Sequence, residues 1–313
     1  MRLLFAGTPD AALPSLDALI SSAHEVVAVL TRPDAPVGRG RSLAPSPVRQ
    51  RADHLGLEVL TPATPRDPGF LDRLASLAVD AAPIVAYGGL IPPAALELPA
   101  HGWVNLHFSL LPAWRGAAPV QHALIAGDDV TGATTFRLER GLDTGPTYGQ
   151  MTERVRPDDT AGTLLDRLAA AGAELLVATL DGLEAGTVQA RPQPSDGVSL
   201  APKLTVADAE LHWQHAALTL DRQVRGCTPA PGAWTTYAGQ RLKILPVGVV
   251  PAGDAPPGLG PGQLLAGKRE VLVGTGDGVV RLGEVQPHGR RPMPAADWAR
   301  GARVSIGHRL GQP

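Results

Sequence analysis

The sequence predicts two domains: an α/β domain built on a doubly wound parallel sheet, followed by a small β-barrel. Three observations carry this prediction. Short apolar runs alternate with helical patterns through the first half of the 313-residue chain. A segment rich in Pro and Ser follows, and short strand-like runs separated by glycines fill the remainder. Alternating strands and helices are typical of a parallel sheet, whereas many short strands with Gly turns are typical of a barrel.

Five apolar runs are expected to form the parallel strands of the first domain. They cover residues 2–7, 25–31, 57–63, 79–88 and 102–108. Helical patterns lie between several of these runs. Directly after the first run, Thr8 can cap a helix and Pro9 suits the first helical position, so a helix is predicted to begin there.

The remaining elements follow in order along the chain. Residues 131–150 are rich in Thr and in turn residues, which predicts a β-hairpin extension. Residues 160–186 form an amphipathic pattern that starts with Thr and ends with Gly, so one long helix is predicted. Residues 209–229 are expected to be helical, ahead of the strands of an oligonucleotide-binding (OB) type barrel. The predicted organisation is a first domain over 1–186, a semi-rigid or ordered linker over 187–206, and a second domain over 207–313.

The composition narrows the class of protein. A net charge of −2 argues against binding nucleic acid by bulk charge alone, although residues 205–313 carry 12 Lys and Arg against 8 Asp and Glu. This weakly basic part either faces a phosphate backbone or is an ordinary solvated surface. The lone Cys227 excludes an internal disulfide framework, and a small half-buried residue is the favoured interpretation over a nucleophile. No apolar run reaches the length of a signal peptide core or a membrane span, so we expect a cytoplasmic protein with no membrane partner.

Two motifs suggest a nucleotide site but lack essential residues. AGTPDA follows a predicted strand, yet it has none of the G-x-G-x-x-G spacing that lets a pyrophosphate approach the backbone. GQLLAGKR matches a phosphate-binding loop up to Lys268, but Arg269 stands where Ser or Thr would hold magnesium. The nine His residues have no metal-ligand spacing. The sequence therefore supports neither a nucleotide cofactor nor a zinc site.

A candidate site lies where predicted strands end. Asn105 and His107 are two residues apart, so they point the same way from a strand. Asp143 lies between glycines and can present a carboxylate without neighbouring bulk. Leu90 and Ile91 follow the glycine pair that ends the fourth strand, where backbone amides beside apolar groups can hold a flat ring. Each segment could also be an ordinary strand end or turn, but in a parallel sheet the carboxyl ends of strands are where ligands bind.

Two of these segments carry a resemblance to a known family. Along NLHFSLLPAWRGAAPVQ and GLDTGP the sequence resembles the folate-dependent formyltransferases. Through FAGTPDAA, TRPDAPVGRGRSLAPSPV, VAYGGLIPP and APKL it resembles the members of that family that act on methionyl-tRNA. The resemblance covers nearly the whole chain, and it implies a Rossmann-like formyltransferase domain followed by an OB-like domain that binds tRNA.

The resemblance also implies an activity and a set of site residues. The formyl group of 10-formyltetrahydrofolate would pass to the free amine of initiator methionyl-tRNA, giving N-formylmethionyl-tRNA for translation initiation, without a metal and in a monomer. Asn105 and a protonated His107 would stabilise the oxyanion, while Asp143 orients His107 or a water and favours the charged imidazole. The implied residues are Asn105, His107 and Asp143 for catalysis; Ser109, Leu110, Leu111, Pro112, Leu90 and Ile91 for the folate; and Arg39 and Arg41 for the tRNA.

Two other functions are compatible with parts of this pattern. The first is formyl transfer to a small amine, such as a ribonucleotide or an amino sugar, on the same catalytic domain. The basic second domain and the Arg39 loop argue against it. The second is a non-catalytic RNA binder built on the barrel, which would keep its function if His107 were replaced by Ala.

Overall fold

The computed structural model describes residues 1–37 and 42–312. The chain divides into two compact units. The first unit contains Met1–Pro119, Val130–Arg154 and Leu165–Leu200, and the second contains Val120–Asp129, Val155–Leu164 and Ala201–Pro313.

Within the described ranges, no helix is both long enough and apolar enough to cross a membrane.

The first unit is built on a mixed sheet of seven strands. The strands of this unit are β1 (Arg2–Gly7), β2 (Glu25–Leu30), β3 (Ala35–Val37), β4 (Ser42–Ala44), β5 (Glu58–Leu60), β6 (Ala82–Val85), β7 (Trp103–His107), β8 (Val130–Arg137) and β9 (Thr147–Arg154). The order across the large sheet is β5-β2-β1-β6-β7-β8-β9, and β3 pairs with β4 separately. Neighbours from β5 to β7 are parallel, whereas β8 and β9 are antiparallel. The predicted parallel sheet and hairpin extension are therefore confirmed.

Along the chain, the helices alternate with the strands of both units. Two begin with a side-chain cap followed by proline: Ser46 accepts from the amide of Arg49, and Asp67 accepts from the amide of Phe70. The helices are α1 (Leu13–Ile20), α2 (Pro47–His54), α3 (Pro68–Leu77), α4 (Pro93–Leu96), α5 (Pro119–Ala126), α6 (Ala161–Glu184), α7 (Ala217–Gly226) and α8 (Ala295–Gly301).

The predicted long helix is confirmed as α6. The amide of Thr163 donates to the Thr160 hydroxyl at 3.3 Å, which is the expected cap at its start. At its end Gly186 has a φ of 69°, in the left-handed region that closes many helices. Both termini of α6 are therefore fixed by the residue types that the sequence supplies.

The predicted helix start at Thr8 and Pro9 is wrong. A single 3-10 turn covers Asp10–Ala12, and α1 begins only at Leu13, without a side-chain cap. The Thr8 hydroxyl instead donates to the carbonyl oxygen of Tyr87 at 2.7 Å. Thr8 thus links the chain after β1 to the chain after the neighbouring strand β6, a long-range contact that residue types alone do not reveal.

The second unit contains antiparallel strands arranged in two four-stranded sheets. One sheet has the order β10-β11-β16-β17 and the other β12-β15-β14-β13. Buried residues from both sheets, including Leu242 and Val273, share one core with Trp213 and Trp298. The strands are β10 (Trp234–Tyr237), β11 (Gln240–Ile244), β12 (Val247–Val249), β13 (Leu264–Ala266), β14 (Val271–Gly274), β15 (Val279–Leu282), β16 (Glu284–Pro287) and β17 (Met293–Pro294).

The helix predicted over 209–229 forms only in its second half, as α7. Before α7, the amide of Leu211 donates to the carbonyl oxygen of Trp234, and the amide of Trp234 donates to that of Ala209. This stretch runs parallel to β10 through an isolated bridge. Hydrogen bonds to β10 replace the helical hydrogen bonds in this stretch. The helical period was therefore the wrong interpretation of its apolar spacing.

Candidate active site

Asn105 and His107 lie on β7, which is flanked by β6 and β8 in the first unit. Asn105 pairs in register with Ile84 of β6 and Phe136 of β8. Since side chains alternate along a strand, Asn105 and His107 leave β7 on the same face, with Leu106 on the other. The predicted common direction of the two polar groups is confirmed by this register. β7 therefore delivers an amide and an imidazole to one side of the sheet.

His107 is buried, with 7% of its surface exposed. Its Nε2 lies 2.9 Å from the carbonyl oxygen of Trp114. Because a carbonyl oxygen can only accept a hydrogen bond, Nε2 carries the proton and Nδ1 of the neutral ring has a free lone pair. The ring of Phe136 meets the imidazole edge-on, with the ring centroids 6.3 Å apart. The imidazole thus has one fixed orientation and one unprotonated nitrogen.

Asp143 faces that unprotonated nitrogen. Its Oδ2 lies 3.8 Å from Nδ1 of His107 and accepts a hydrogen bond from the amide of Gly116 at 2.7 Å. The separation from His107 is too long for a direct hydrogen bond and leaves room for a bridging hydrogen-bond donor. Asp143 itself has a φ of 51°, an uncommon conformation for a residue with a side chain. The surrounding contacts hold the carboxylate in this conformation.

Burial controls the proton affinity of His107. Desolvation lowers the pKa of His107 below its ordinary value of 6.5, although the negative charge of Asp143 and the Trp114 carbonyl oppose this by raising it. The sequence leaves open whether His107 acts mainly as an acid, a base or an oxyanion donor. Asp143 favours the charged imidazole, but the loss of solvent around the ring outweighs this influence. Burial therefore favours the neutral imidazole, which is the form that can accept a proton.

The loop after β7 is held by side chains from the hairpin. The Thr134 hydroxyl donates to the carbonyl oxygen of Ser109 at 2.7 Å and accepts from the amide of Leu111 at 3.1 Å. The side-chain amide of Gln150 donates to the carbonyl oxygen of Leu111 at 2.9 Å. The Ser109 hydroxyl is buried and donates to the carbonyl oxygen of Ala113 at 2.6 Å. Ser109 and Leu111 thus use their polar groups to shape the loop.

The other four predicted folate residues differ in exposure. Leu110 and Pro112 are half-buried in the loop after β7. Leu90 is 82% exposed, whereas Ile91 is buried in the apolar core beside the sheet. Ile91 is therefore placed to support the loop, and Leu90 is the side chain that this segment presents to solvent.

A cavity of about 490 Å³ opens on the same unit, next to the loop that leads to Asp143. One wall is formed by Pro93, Leu96 and Glu97 of the segment after Leu90. The other wall is formed by residues 137–141, which precede Asp143 directly. None of the predicted catalytic or folate residues lines this cavity, so it lies beside the predicted site and does not mark it.

Three further predictions concern residues outside this cluster. Arg39 and Arg41 lie outside the described residues, between β3 and β4. Cys227 is fully buried, and burial together with the charge of Asp208 raises the pKa of its thiol to about 11. Such a thiol is almost entirely protonated at neutral pH, which agrees with the interpretation of Cys227 as a packed residue.

One group of potential metal ligands occurs among the described residues, away from β7. His24, Asp181 and Glu184 place ligand atoms within 4.8 Å of one another. Glu184 also accepts from the terminal ammonium group of Met1 at 2.7 Å, and His24 Nε2 lies 3.3 Å from Asp181. These contacts describe a cluster of ion pairs between the start of the chain and α6. None of its members belongs to the predicted site.

Sequence reasoning missed several residues that hold the site together. They include Thr134 and Gln150 on the hairpin, the carbonyl of Trp114, and Gln193 in the predicted linker. Gln193 is flanked by prolines in the sequence RPQP. The two prolines fix the backbone on both sides of this polar residue, and they are the sequence feature that could have indicated its role.

The fold and the buried His107–Asp143 pair define an enzyme with a Rossmann-like transferase domain and a C-terminal domain of antiparallel strands. The family profile described as "Formyl transferase" matches residues 1–180, and that described as "Formyl transferase, C-terminal domain" matches residues 203–303. The chain therefore belongs to the formyl transferase family.

Relatives with high sequence identity extend over the whole chain. A protein of Nocardioides sp. named methionyl-tRNA formyltransferase is 63% identical over 99% of this chain and 98% of its own length. A protein of the same name from Streptomyces coelicolor is 64% identical over 99% of this chain and 100% of its own length. This identity over complete chains covers both units.

Solved structures with lower identity share the fold. HypX from Aquifex aeolicus in complex with tetrahydrofolic acid has a TM-score of 0.65 and 16% identity over 97% of this chain. This chain spans 48% of the length of that structure. WlaRD, a sugar 3N-formyl transferase, has a TM-score of 0.67 and 14% identity over 93% of this chain and 99% of its own. At this level of identity the similarity concerns the fold alone.

Proposed function

We propose that this chain transfers the formyl group of 10-formyltetrahydrofolate to the amine of initiator methionyl-tRNA, with Asn105, His107 and Asp143 as its catalytic groups. The observation that carries the proposal is the buried pair of His107 and Asp143, whose facing atoms lie 3.8 Å apart at the end of β7. Identity above 60% over complete chains to proteins named methionyl-tRNA formyltransferase supports the choice of acceptor.

The neutral imidazole of His107 supplies a base. The amine nitrogen forms a bond to the formyl carbon and must lose a proton, while the bond from that carbon to N10 of the folate breaks and N10 gains one. Nδ1 of His107 can take the first proton, directly or through a water in the gap to Asp143, and return it toward N10. The imidazolium that forms between these steps is stabilised by the carboxylate of Asp143. The proton count is therefore balanced within the site.

Asn105 supplies the electrostatic part of the reaction. Attack on the formyl carbon gives a tetrahedral centre with negative charge on oxygen. The side-chain amide of Asn105 leaves β7 on the same face as His107 and can donate an N–H to that oxygen. Preorganised donors of this kind typically contribute a factor of about 100 or more to the rate.

The folate site is proposed from the two loops that follow β6 and β7. The ring system of the folate requires a cleft with backbone donors and few bulky polar groups. Leu90 is exposed in the loop after β6, and Leu110 and Pro112 are half-buried in the loop after β7, so these side chains are available for contact. Ser109, Leu111 and Ile91 are buried and would act through the shape of the two loops.

For the tRNA, we propose two contact regions. Arg39 and Arg41 would reach the acceptor stem, since guanidinium groups make bidentate contacts with phosphates and guanine edges. The basic surplus in residues 205–313 would hold the backbone without reading its sequence. Replacing Arg39 and Arg41 by Ala should raise the KM for methionyl-tRNA and leave the KM for the folate unchanged.

The proposal extends to the organisation of the working enzyme. We propose a catalytic domain over 1–186, a linker over 187–206 and a tRNA-binding domain over 207–313. The enzyme would act as a cytoplasmic monomer and without a metal ion. Light scattering during gel filtration tests the monomer, and unchanged formylation after dialysis against a chelator tests the absence of a metal requirement.

The decisive experiment measures acceptor choice. Purified protein is supplied with 10-formyltetrahydrofolate and with methionyl-tRNA, an aminoacylated elongator tRNA, a ribonucleotide amine or an amino sugar nucleotide. Formylation of methionyl-tRNA with the highest kcat/KM is expected. Preference for a small amine would overturn the proposed acceptor.

A second measurement distinguishes an enzyme from an RNA binder. His107→Ala should reduce kcat by at least about a thousandfold while the Kd for methionyl-tRNA stays the same. Equal formylation by wild type and His107→Ala would contradict the assignment of His107 as a catalytic residue.

A further inference from the structure

Residues 191–200, here called the strap, are bonded to both loops that carry the catalytic contacts. At one end, the amides of Arg191 and Thr147 each donate to the other's carbonyl oxygen at 2.8 Å. At the other end, the amide of Arg115 donates to the carbonyl oxygen of Ser199 at 2.9 Å, and the amide of Trp114 donates to its hydroxyl at 2.8 Å. The strap therefore contacts the chain after Asp143 and the segment whose Trp114 carbonyl accepts a hydrogen bond from His107.

Gln193 lies in the middle of the strap and connects the two loops through its side chain. Its Nε2 donates to the carbonyl oxygens of Asp143 and Gly145, both at 2.8 Å. Its Oε1 accepts from Nε of Arg115 at 3.1 Å and from Nη2 at 2.6 Å. A side-chain amide has two N–H donors and two acceptor lone pairs, so this one is fully used.

The backbone around Gln193 is stiff. Pro192 and Pro194 flank it, and each fixes its own φ while restricting the residue before it. The prolines leave little backbone freedom to be lost when the side chain between them bonds. Gln193 is therefore preorganised to grip both loops.

The atoms that Gln193 holds are adjacent to the reacting groups. Asp143 has a left-handed backbone, with a φ of 51°, directly at the carbonyl that Gln193 binds. Arg115 lies between Trp114, whose carbonyl accepts from His107, and Gly116, whose amide donates to the Asp143 carboxylate. Fixing Arg115 relative to Asp143 thus fixes both partners of the His107–Asp143 pair.

We propose that Gln193 is a positioning residue, which sets the separation between the Asp143 carboxylate and the His107 imidazole by joining the loops that carry their hydrogen-bond partners. The test of this inference by kcat rests on the proposed function, whereas the test by the pKa of His107 does not. Gln193 touches no reacting atom in this role and acts through the two loops.

The second unit provides a matched control. The Gln223 side-chain amide also donates to two main-chain carbonyls, those of Asp208 and Glu210, both at 3.0 Å. Gln223 and Gln193 are both half-buried. Gln223→Ala therefore removes the same kind of bonds as Gln193→Ala, but in a region that contains no catalytic group.

The test compares Gln193→Ala, Gln193→Glu and Gln223→Ala with the wild type. Glu at 193 keeps an acceptor for Arg115 and loses both donors to the Asp143 loop, so it separates loss of positioning from loss of folding. Both Gln193 variants should lower kcat about tenfold, with the KM for methionyl-tRNA changed by less than about twofold. Gln223→Ala should leave kcat unchanged. Wild-type kcat in folded Gln193→Glu would overturn the proposal.

The second readout needs no substrate. The pKa of His107 is measured by NMR titration in the wild type, Gln193→Ala and Gln223→Ala, with His107→Gln used to assign its signals. Asp143 is the charged group that acts on His107, and the Trp114 carbonyl is its other polar partner. Looser Asp143 should let the pKa of His107 fall in Gln193→Ala and stay constant in Gln223→Ala. Gln193→Glu is left out of this comparison, because its added negative charge by itself raises the pKa of a nearby imidazole.

The two readouts separate the two proposals. A fall in the pKa of His107 in a protein that does not formylate methionyl-tRNA would reject the proposed acceptor and support the role of Gln193. Formylation by the wild type, together with an unchanged pKa of His107 in Gln193→Ala, would support the proposed function and reject the role of Gln193.

Discussion

Each unit contains a buried aspartate that faces a basic side chain, and the two pairs are built differently. In the first unit His107 and Asp143 face each other across 3.8 Å, without a direct hydrogen bond. In the second unit Nε of Arg225 donates to Asp221 at 2.9 Å, and its Nη1 donates to the carbonyl oxygen of Asp159 at 3.1 Å. The second pair is closed by its own bonds, whereas the first leaves a gap. The two pairs therefore differ in what holds them: Arg225 is bonded directly to Asp221, whereas His107 and Asp143 are each held by a separate main-chain partner.

The largest expected effect comes from removing the charge of Asp143 in the first of these two pairs. Asp143→Asn keeps the shape of the side chain and should lower kcat about a hundredfold or more, because the imidazolium loses its counter-charge. Single-turnover formylation of methionyl-tRNA measures this. Asp158→Asn, at an exposed position on another loop, is the matched control and should keep full activity. A rate for Asp143→Asn within about threefold of the wild type would contradict a catalytic Asp143.

The closed pair should respond in stability and not in rate. Asp221→Asn leaves the guanidinium of Arg225 buried without its counter-charge and should cost about 3 kcal/mol of unfolding free energy. Urea unfolding of the second unit, followed by tryptophan fluorescence, measures the loss. The double variant Asp221→Leu with Arg225→Met removes both charges and should recover most of that stability. A large fall in kcat for folded Asp221→Asn, with no loss of stability, would contradict a purely structural role of the Asp221–Arg225 pair.

The pH dependence of the reaction sharpens the comparison further. A base must be neutral to act, so kcat/KM rises with pH through the pKa of His107. Because burial lowers that pKa below 6.5, the rise should lie on the acid side of the range for an ordinary histidine. Asp143→Asn removes the charge that raises the pKa, so the remaining activity should persist to still lower pH. A rise centred above 6.5 would contradict a neutral His107.

Local sequence patterns were sufficient for the strands but not for the site. The runs at 2–7 and 102–108 are apolar because both faces of a central strand are covered, and this property is visible in the residues themselves. The function of Thr8 was misassigned because its partner, Tyr87, is 79 residues away along the chain. The direction in which the pKa of His107 shifts could not be predicted for a similar reason, since desolvation depends on all surrounding segments.

Gln193 illustrates the same limit most clearly. Its partners lie 50 and 78 residues earlier, at Asp143 and Arg115. Proline on both sides indicated a stiff backbone, but no pattern in the sequence specified what the side chain would contact. Elements that depend on local spacing are therefore predictable from one sequence, whereas contacts between distant loops require the coordinates.

The smallest effect is expected at an exposed pair with good geometry. Arg73 donates two hydrogen bonds to the Glu58 carboxylate, at 2.7 Å from Nε and 2.5 Å from Nη2, and this bonding lowers the pKa of Glu58. Any stability it gives is present at neutral pH and is lost as pH falls through the lowered pKa. Because water screens the charges, Glu58→Gln should leave both the urea midpoint and kcat unchanged. A loss as large as that of Asp221→Asn would mean that bond geometry, and not burial, decides how much an ion pair contributes here.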